Sequence, residues 1–163
     1  MSGRAWKFGD NVSTDLVAAG RYAYLRTNLP ELTKHVLEDA RDEFRTGVKP
    51  GDFVVGGVNF GMGSSREHAP TVIKMAGVSC VAAKSFARIF FRNCINIGMP
   101  AVVVDTDRID EGDELELDLA KGVLRDITKG IELTFPPMPK VMTDILGAGG
   151  LIPYMKANKG FKL

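Results

Sequence analysis

From residue 53 onward the chain alternates short, solid apolar runs with longer stretches whose apolar positions recur at helical spacing. FVVGGV (53–58), VSCVAAK (78–84) and AVVVD (101–105) are β-branched and apolar on both alternating faces, which is the pattern of strands buried on both sides. Between the first two, Ala69, Val72, Ile73 and Ala76 fit a helix closed by Gly77. Between the second and third, SFARIFFRNCINIG (85–98) is apolar nearly all round. That predicts a deeply buried helix, capped by Ser85 and ended by Gly98. Strand, helix, strand, helix, strand at these lengths predicts an α/β fold with a parallel βαβαβ core.

The flanks carry different periods. Arg4 to Phe8 reads as a short strand, followed by a turn at Gly9-Asp10-Asn11 and a polar, aromatic loop over residues 16–30. Leu32, Val36, Leu37 and Ala40 then predict one amphipathic helix from Pro30 to near Phe44. After the core, ELELDL and GVLRDI alternate around Ala120-Lys121-Gly122, which predicts an antiparallel hairpin with one solvated face. A last amphipathic helix is expected over about residues 139–146, with Gly147 to Gly150 breaking it before GLIPYMKANKG. No internal repeat is visible, and the length suits one domain over residues 1–163.

Composition narrows the function. With 21 basic and 20 acidic side chains, the chain has no electrostatic footprint for nucleic acid, so no nucleic-acid partner is expected. No apolar stretch suits a signal core or a membrane span, so a cytoplasmic protein with no membrane association is expected. Cys80 and Cys94 have neither CxxC spacing nor a histidine pair nearby, so they read as packed thiols and no metal site is predicted in this chain.

The chemistry concentrates in NFGMGSSREHAP, residues 59–70, where glycines precede Ser64, Ser65 and Arg66 at an expected helix start. Gly61 and Gly63 let backbone approach a ligand, and free amides at a helix N-terminus favour an anion. A phosphate loop would need GxxxxGK[ST], and a serine hydrolase would need GxSxG; neither pattern is present. A purely structural reading, in which one serine caps the helix, stays open. A second notable stretch is AYLRTN, residues 23–28, which either caps the following helix through Thr27 or Asn28 or presents Arg26 to a ligand. Arg88 and Arg92, one turn apart, could reach a carboxylate or a partner subunit, but on a deeply packed helix they are expected to anchor backbone or acidic groups. His68 is expected near the site or on the helix surface, and Asp15 is expected to fix the loop that carries Arg26.

Taken together with KFGDNVSTDLVAAGRY, GVSCVAAKSFARIFFRNCINIGMP and the terminal GGLIPY, the glycine-rich stretch resembles the swivel domain of the aconitase superfamily. The likeness is to the separate small subunits of the isopropylmalate isomerase and homoaconitase type, and it covers nearly the whole chain. It implies a swivel-type β/β/α fold. It also implies a hydro-lyase, active only with a large subunit, that moves a hydroxyl between adjacent carbons by dehydration and rehydration. The large subunit would carry a 4Fe-4S cluster, and this chain would bind none. By position, Ser64 matches the family's proton-abstracting base, and Ser65 and Arg66 match carboxylate binders. Arg26 matches a substrate-contacting arginine, with Thr27 beside it. The resemblance places isopropylmalate, in leucine biosynthesis, first. Arg26 favours a substrate with a third carboxylate, such as homocitrate and homoaconitate, and a 2-methylmalate or dimethylmalate type is a further alternative. A regulatory or RNA-binding module on the same fold is the non-enzyme alternative. Isolated chains are also expected to be open to self-association through the face meant for the large subunit.

Overall fold

The computed structural model describes residues 1–158 and 160; residues 159 and 161–163 of the expected domain lie outside the described residues. Among the described residues there are seven strands: β1 (Ser2–Lys7), β2 (Phe53–Val55), β3 (Cys80–Ala83), β4 (Ala101–Val103), β5 (Glu114–Asp118), β6 (Val123–Asp126) and β7 (Ile131–Thr134). They form one sheet in the order β4-β3-β2-β1-β5-β6-β7. The first four are parallel, in a register that aligns Trp6 with Val54, Val54 with Val81 and Val81 with Ala101. β1 then pairs antiparallel with β5, and β5, β6 and β7 continue as an antiparallel meander.

Period-two alternation divides the core between the two faces of this sheet. Trp6, Val54, Val81 and Ala101 lie in a cluster with the helical side chains Phe44, Val72, Ile73 and Phe90. Ala5, Phe53, Val55, Cys80, Ala82 and Val102 lie in a second cluster with Leu115, Leu124 and Leu133. The antiparallel half therefore curls over the second face of the parallel half and covers it. The helices are α1 (Thr14–Val17), α2 (Leu29–Thr33), α3 (Asp42–Gly47), α4 (His68–Met75), α5 (Arg88–Asn96), α6 (Lys140–Gly147) and α7 (Leu151–Asn158).

Several expectations are corrected. The helix predicted from Pro30 to Phe44 is broken into α2 and α3 by Leu37, which sits at φ 54° with a fully buried side chain. Its N–H donates to the Val17 carbonyl, 3.0 Å away, so burial and a tertiary hydrogen bond override the helical period. α5 is not buried all round: Arg88, Ile89, Arg92 and Asn96 are exposed along one stripe. Ser85 does not cap it either, because the Ser85 hydroxyl accepts from the Asn59 amide at 2.7 Å. The hairpin gains a third strand, β7, and the segment after Gly150 forms α7, with Pro153 tolerated in its first turn.

The antiparallel half carries a buried acidic pair. Lys129 Nζ lies 2.9 Å from Asp113 and 3.8 Å from Asp126 Oδ2, and that oxygen is buried without a hydrogen-bond partner among the described residues. Burial pushes the Asp126 carboxyl above its ordinary value; the Lys129 amide opposes the shift and the Asp113 carboxylate reinforces it. A carboxyl raised in the folded state contributes stability at low pH that is lost as the pH climbs from the unfolded value through the folded one. Asp126→Asn keeps an oxygen for the Lys129 amide, now 3.0 Å away. It is expected to raise stability at neutral pH and to give no gain at about pH 3. Chemical denaturation at the two pH values checks both halves of this expectation.

Candidate active site

The glycine-rich stretch runs from the C-terminal end of β2 to the start of α4, on the same edge as the loops that follow β1 and β3. Gly61 has φ 79°, and a Cβ there would lie 2.1 Å from the Phe90 ring, so only glycine lets the loop rest on α5. The N-terminal block pins the loop from the other side. Gly61 N–H donates to the Val12 carbonyl at 2.7 Å, and Thr14 N–H donates to the Met62 carbonyl at 2.8 Å. The Thr14 hydroxyl donates to the Ser64 carbonyl at 2.9 Å. What the fold holds at Ser64 is its carbonyl, and both serine residues are exposed.

The serines do not begin the helix, as the sequence suggested. Arg66 N–H turns back to the Ser64 carbonyl at 2.7 Å, and this tight turn separates them from α4, which starts at His68. The residue before α4 is Glu67, with no side-chain cap. Neither serine is spent on capping.

Two adjoining cavities meet at this turn. One, of about 290 Å³, is lined by Thr14, Gly63, Ser64, Ser65 and Arg66 on one wall and by the start of α5, including Arg88 and Asn93, on the other. The second, of about 330 Å³, is lined by Ala18 to Gly20, Tyr22, Arg26, Ser65, Arg66 and His68. Ser65 and Arg66 belong to both cavities, whereas Ser64 lies in the first and Arg26 in the second. Thr27 lines neither and is exposed. Thus four of the five residues singled out in the sequence converge, and Thr27 does not.

Asp15 sets the electrostatics at the junction, a role not foreseen in full from the sequence. Its carboxylate pairs with Arg66 Nη1 and accepts from the Gly20 amide at 3.0 Å, while the same Nη1 donates to the Ala18 carbonyl at 2.8 Å. Asp15 thereby holds both the guanidinium and the first turn of the loop that leads to Arg26. The hydrogen bond from Arg66 holds the Asp15 carboxyl below its ordinary value against a modest desolvation. Only one guanidinium nitrogen is engaged in these bonds; the other edge of Arg66 is available to a ligand. Burial, then the charges of Arg66 and Arg26, hold the His68 imidazole below its ordinary value, so it is neutral at neutral pH. The signal for Thr14 and Asp15 was their adjacency in the N-terminal block, but only the fold brings that block against the serines.

Arg26 is exposed, and its Nε donates to the Ala23 carbonyl at 3.0 Å. Asn28 caps α2 by accepting from Glu31 N–H at 3.4 Å, so the AYLRTN stretch both caps a helix and presents an arginine. Arg88 and Arg92 anchor neither backbone nor acid; no ion pair among the described residues includes them. Burial raises the thiols of Cys80 and Cys94 well above the ordinary cysteine value. A thiolate-ligated cluster does not fit them, and among the described residues no group of three His, Cys, Asp or Glu side chains could hold a metal ion. Among the described residues no helix is long and apolar enough to cross a membrane.

This geometry coincides with known sequence relationships. Residues 17–106, which include Arg26, Ser64, Ser65 and Arg66, match the family model described as the aconitase C-terminal domain. The 3-isopropylmalate dehydratase small subunit 2 of Archaeoglobus fulgidus is 60% identical over 163 residues, covering 100% of this chain and 99% of that protein. The small subunit 1 of Thermotoga maritima is 56% identical, covering 99% of this chain and 98% of that protein. The crystal structure of 3-isopropylmalate dehydratase from Methanocaldococcus jannaschii superposes with a TM-score of 0.92 at 43% identity, covering 97% of this chain and 94% of that one. A family model over more than half of the chain, high identity along the full length and a closely superposing fold have one reading: this chain belongs to the aconitase C-terminal domain family, among the 3-isopropylmalate dehydratase small subunits.

Proposed function

We propose that the chain, as one swivel-type domain in the cytoplasm, is the small subunit of a heteromeric hydro-lyase acting on a 2-hydroxy dicarboxylate, with isopropylmalate as the first candidate. The observation that carries this reading is the exposed Ser64 beside Arg66, on a turn that the fold holds at Ser64 through its carbonyl. Ser64, as the alkoxide, takes the proton from the carbon next to a substrate carboxylate. The electron pair of that C–H bond becomes the new double bond as the hydroxyl leaves the neighbouring carbon, and rehydration runs the sequence in the opposite regiochemistry. Ser65 and the open edge of Arg66 hold the carboxylate, which fixes the reacting carbon over Ser64. A serine hydroxyl is a very weak acid, so the base needs positive potential; Arg66, Arg26 and Arg88 all line the two cavities. A 4Fe-4S cluster held by the large subunit would supply Lewis-acid assistance to the departing hydroxyl.

A second reading of the substrate rests on Arg26. It shares a cavity with Arg66, where an alkyl group would leave the guanidinium without an anionic partner. That placement favours a substrate with a third carboxylate, of the homocitrate and homoaconitate type. In the reconstituted pair, Arg26→Val is expected to lower kcat/KM for homoaconitate by about 10-fold or more and to preserve or improve turnover of isopropylmalate. Parallel steady-state assays decide it. If the variant changes neither substrate, Arg26 does not select the substrate.

A further inference from the structure

Next to the Ser64 cavity, on the outer side of α5, lies a groove of about 450 Å³ lined by Ser85, Phe86, Arg88, Phe91, Arg92 and Val103. Its lining combines two aromatic rings in contact, with centroids 5.7 Å apart, an edge-strand valine 45% exposed, and two arginines. Among the described residues neither arginine has an ion-pair partner, unlike Arg21, Arg41, Arg45, Arg66 and Arg125, though Arg4, Arg26 and Arg108 also have none; what sets Arg88 and Arg92 apart is the apolar floor between them. Ile89, 50% exposed, continues the same stripe of α5 and also lines the Ser64 cavity. β4, which carries Val103, is the outer strand of the parallel half. An apolar floor with unpaired arginines is the composition of an interface core, where arginines and aromatic side chains act as anchors.

We infer that this groove docks the large subunit, and that the docked segment presents apolar side chains flanked by carboxylates. The inference rests on the proposed function, since it requires a large subunit. Continuity supports the choice of occupant: Arg88 lines both the Ser64 cavity and the groove, so a chain that closes over Ser64 to complete the site lies against Arg88 as well. Charge argues against a second copy of this chain. A two-fold contact through the groove would set Arg88 and Arg92 near the same arginines of the other copy, and like charges facing each other oppose association.

The test uses the full chain and its purified large subunit in calorimetric titrations, with thermal melting of each variant to show that it folds. Arg92→Glu and Val103→Asp are each expected to weaken subunit affinity about 10-fold or more, with activity recovered at high large-subunit concentration. Ile127→Asp, an exposed apolar position elsewhere, is the control and is expected to bind as wild type. Unchanged affinity in both groove variants overturns the inference. So does loss of self-association of the isolated chain with large-subunit affinity intact, which would make the groove an interface between copies. If the unmodified chain fails to bind the large subunit, the proposed function itself falls, and this inference with it. If Val103→Asp does not fold, the affinity of Arg92→Glu decides by itself: a 10-fold or greater loss supports the groove, and wild-type binding overturns it.

Discussion

Replacing Ser64 by alanine is expected to lower kcat of the reconstituted enzyme by about 10²- to 10⁴-fold, the range a positioned base supplies. Subunit affinity and thermal stability should remain those of the unmodified chain. The separation of these effects follows from the way the turn is built. The Ser64 carbonyl accepts from the Thr14 hydroxyl and from Arg66 N–H, and both bonds survive removal of the hydroxyl. The side chain is exposed, so alanine leaves neither a buried cavity nor an unpaired buried group. Because the missing proton acceptor acts in the transition state, kcat should fall far more than KM rises. Saturating steady-state assays, paired with calorimetric titration of the subunits, measure the two consequences separately.

Replacing Arg66 by lysine is expected to act mainly on binding, raising KM by about 100-fold with a smaller loss in kcat. Arg66 does two things with one planar group. Its Nη1 holds the Asp15 carboxylate and the Ala18 carbonyl, and on the proposed reading its other edge takes a substrate carboxylate. A lysine ammonium is a point charge on a flexible stem, and it cannot satisfy the internal pair and offer a planar fork to a substrate at the same time. Hydrogen bonds to charged groups are worth about 1.5–3 kcal/mol each, so losing the fork accounts for the size of the effect. The Asp15–Arg66 pair itself contributes little to stability, because Asp15 is 64% exposed and its charge is screened. Melting curves of Arg66→Lys should therefore lie close to those of the unmodified chain while the KM changes by orders of magnitude.

The parts of the fold legible in the sequence are those governed by local periodicity. The three strands and the two helices between them lie where apolar runs, β-branching and Gly77 and Gly98 predicted them, but β4 is the edge of the sheet and leaves Val103 exposed instead of burying both of its faces. What local pattern could not show is where long-range contacts override it. Leu37 takes a left-handed conformation because its amide is claimed by Val17, some twenty residues earlier, and that breaks a helix whose apolar spacing looked continuous. β7 is only four residues long, too short for its alternation to stand out, yet it completes the curl that covers the second face of the sheet. In the candidate site, the glycines and the Ser64-Ser65-Arg66 run marked where the two cavities meet, but composition left a purely structural reading open. The resemblance to a known family assigned roles that spacing could not. The involvement of Thr14 and Asp15 was hidden because their partners lie about fifty residues away, and only the parallel pairing of β1 with β2 brings the two loops together.

The placement of Arg88 and Arg92 went the other way. A helix apolar nearly all round suggested burial and internal anchoring, but α5 uses Phe90, Cys94 and Ile95 for the core and turns its arginines outward. An exposed, unpaired cationic stripe beside an open site is what a half-site should present if another chain completes it. Together with the open Ser64 residue, this fits the proposed division of labour, in which this chain holds the carboxylate and takes the proton and the large subunit acts on the leaving hydroxyl.

On the proposed function, the chain supplies the proton-abstracting half of a shared active site. The most direct test is to titrate the chain into a fixed amount of large subunit and to follow formation of the unsaturated dicarboxylate from isopropylmalate. Neither subunit alone is expected to turn over, and activity is expected to rise with added chain and to saturate at a fixed stoichiometry. A large subunit that dehydrates the substrate equally fast without this chain would contradict the proposed function.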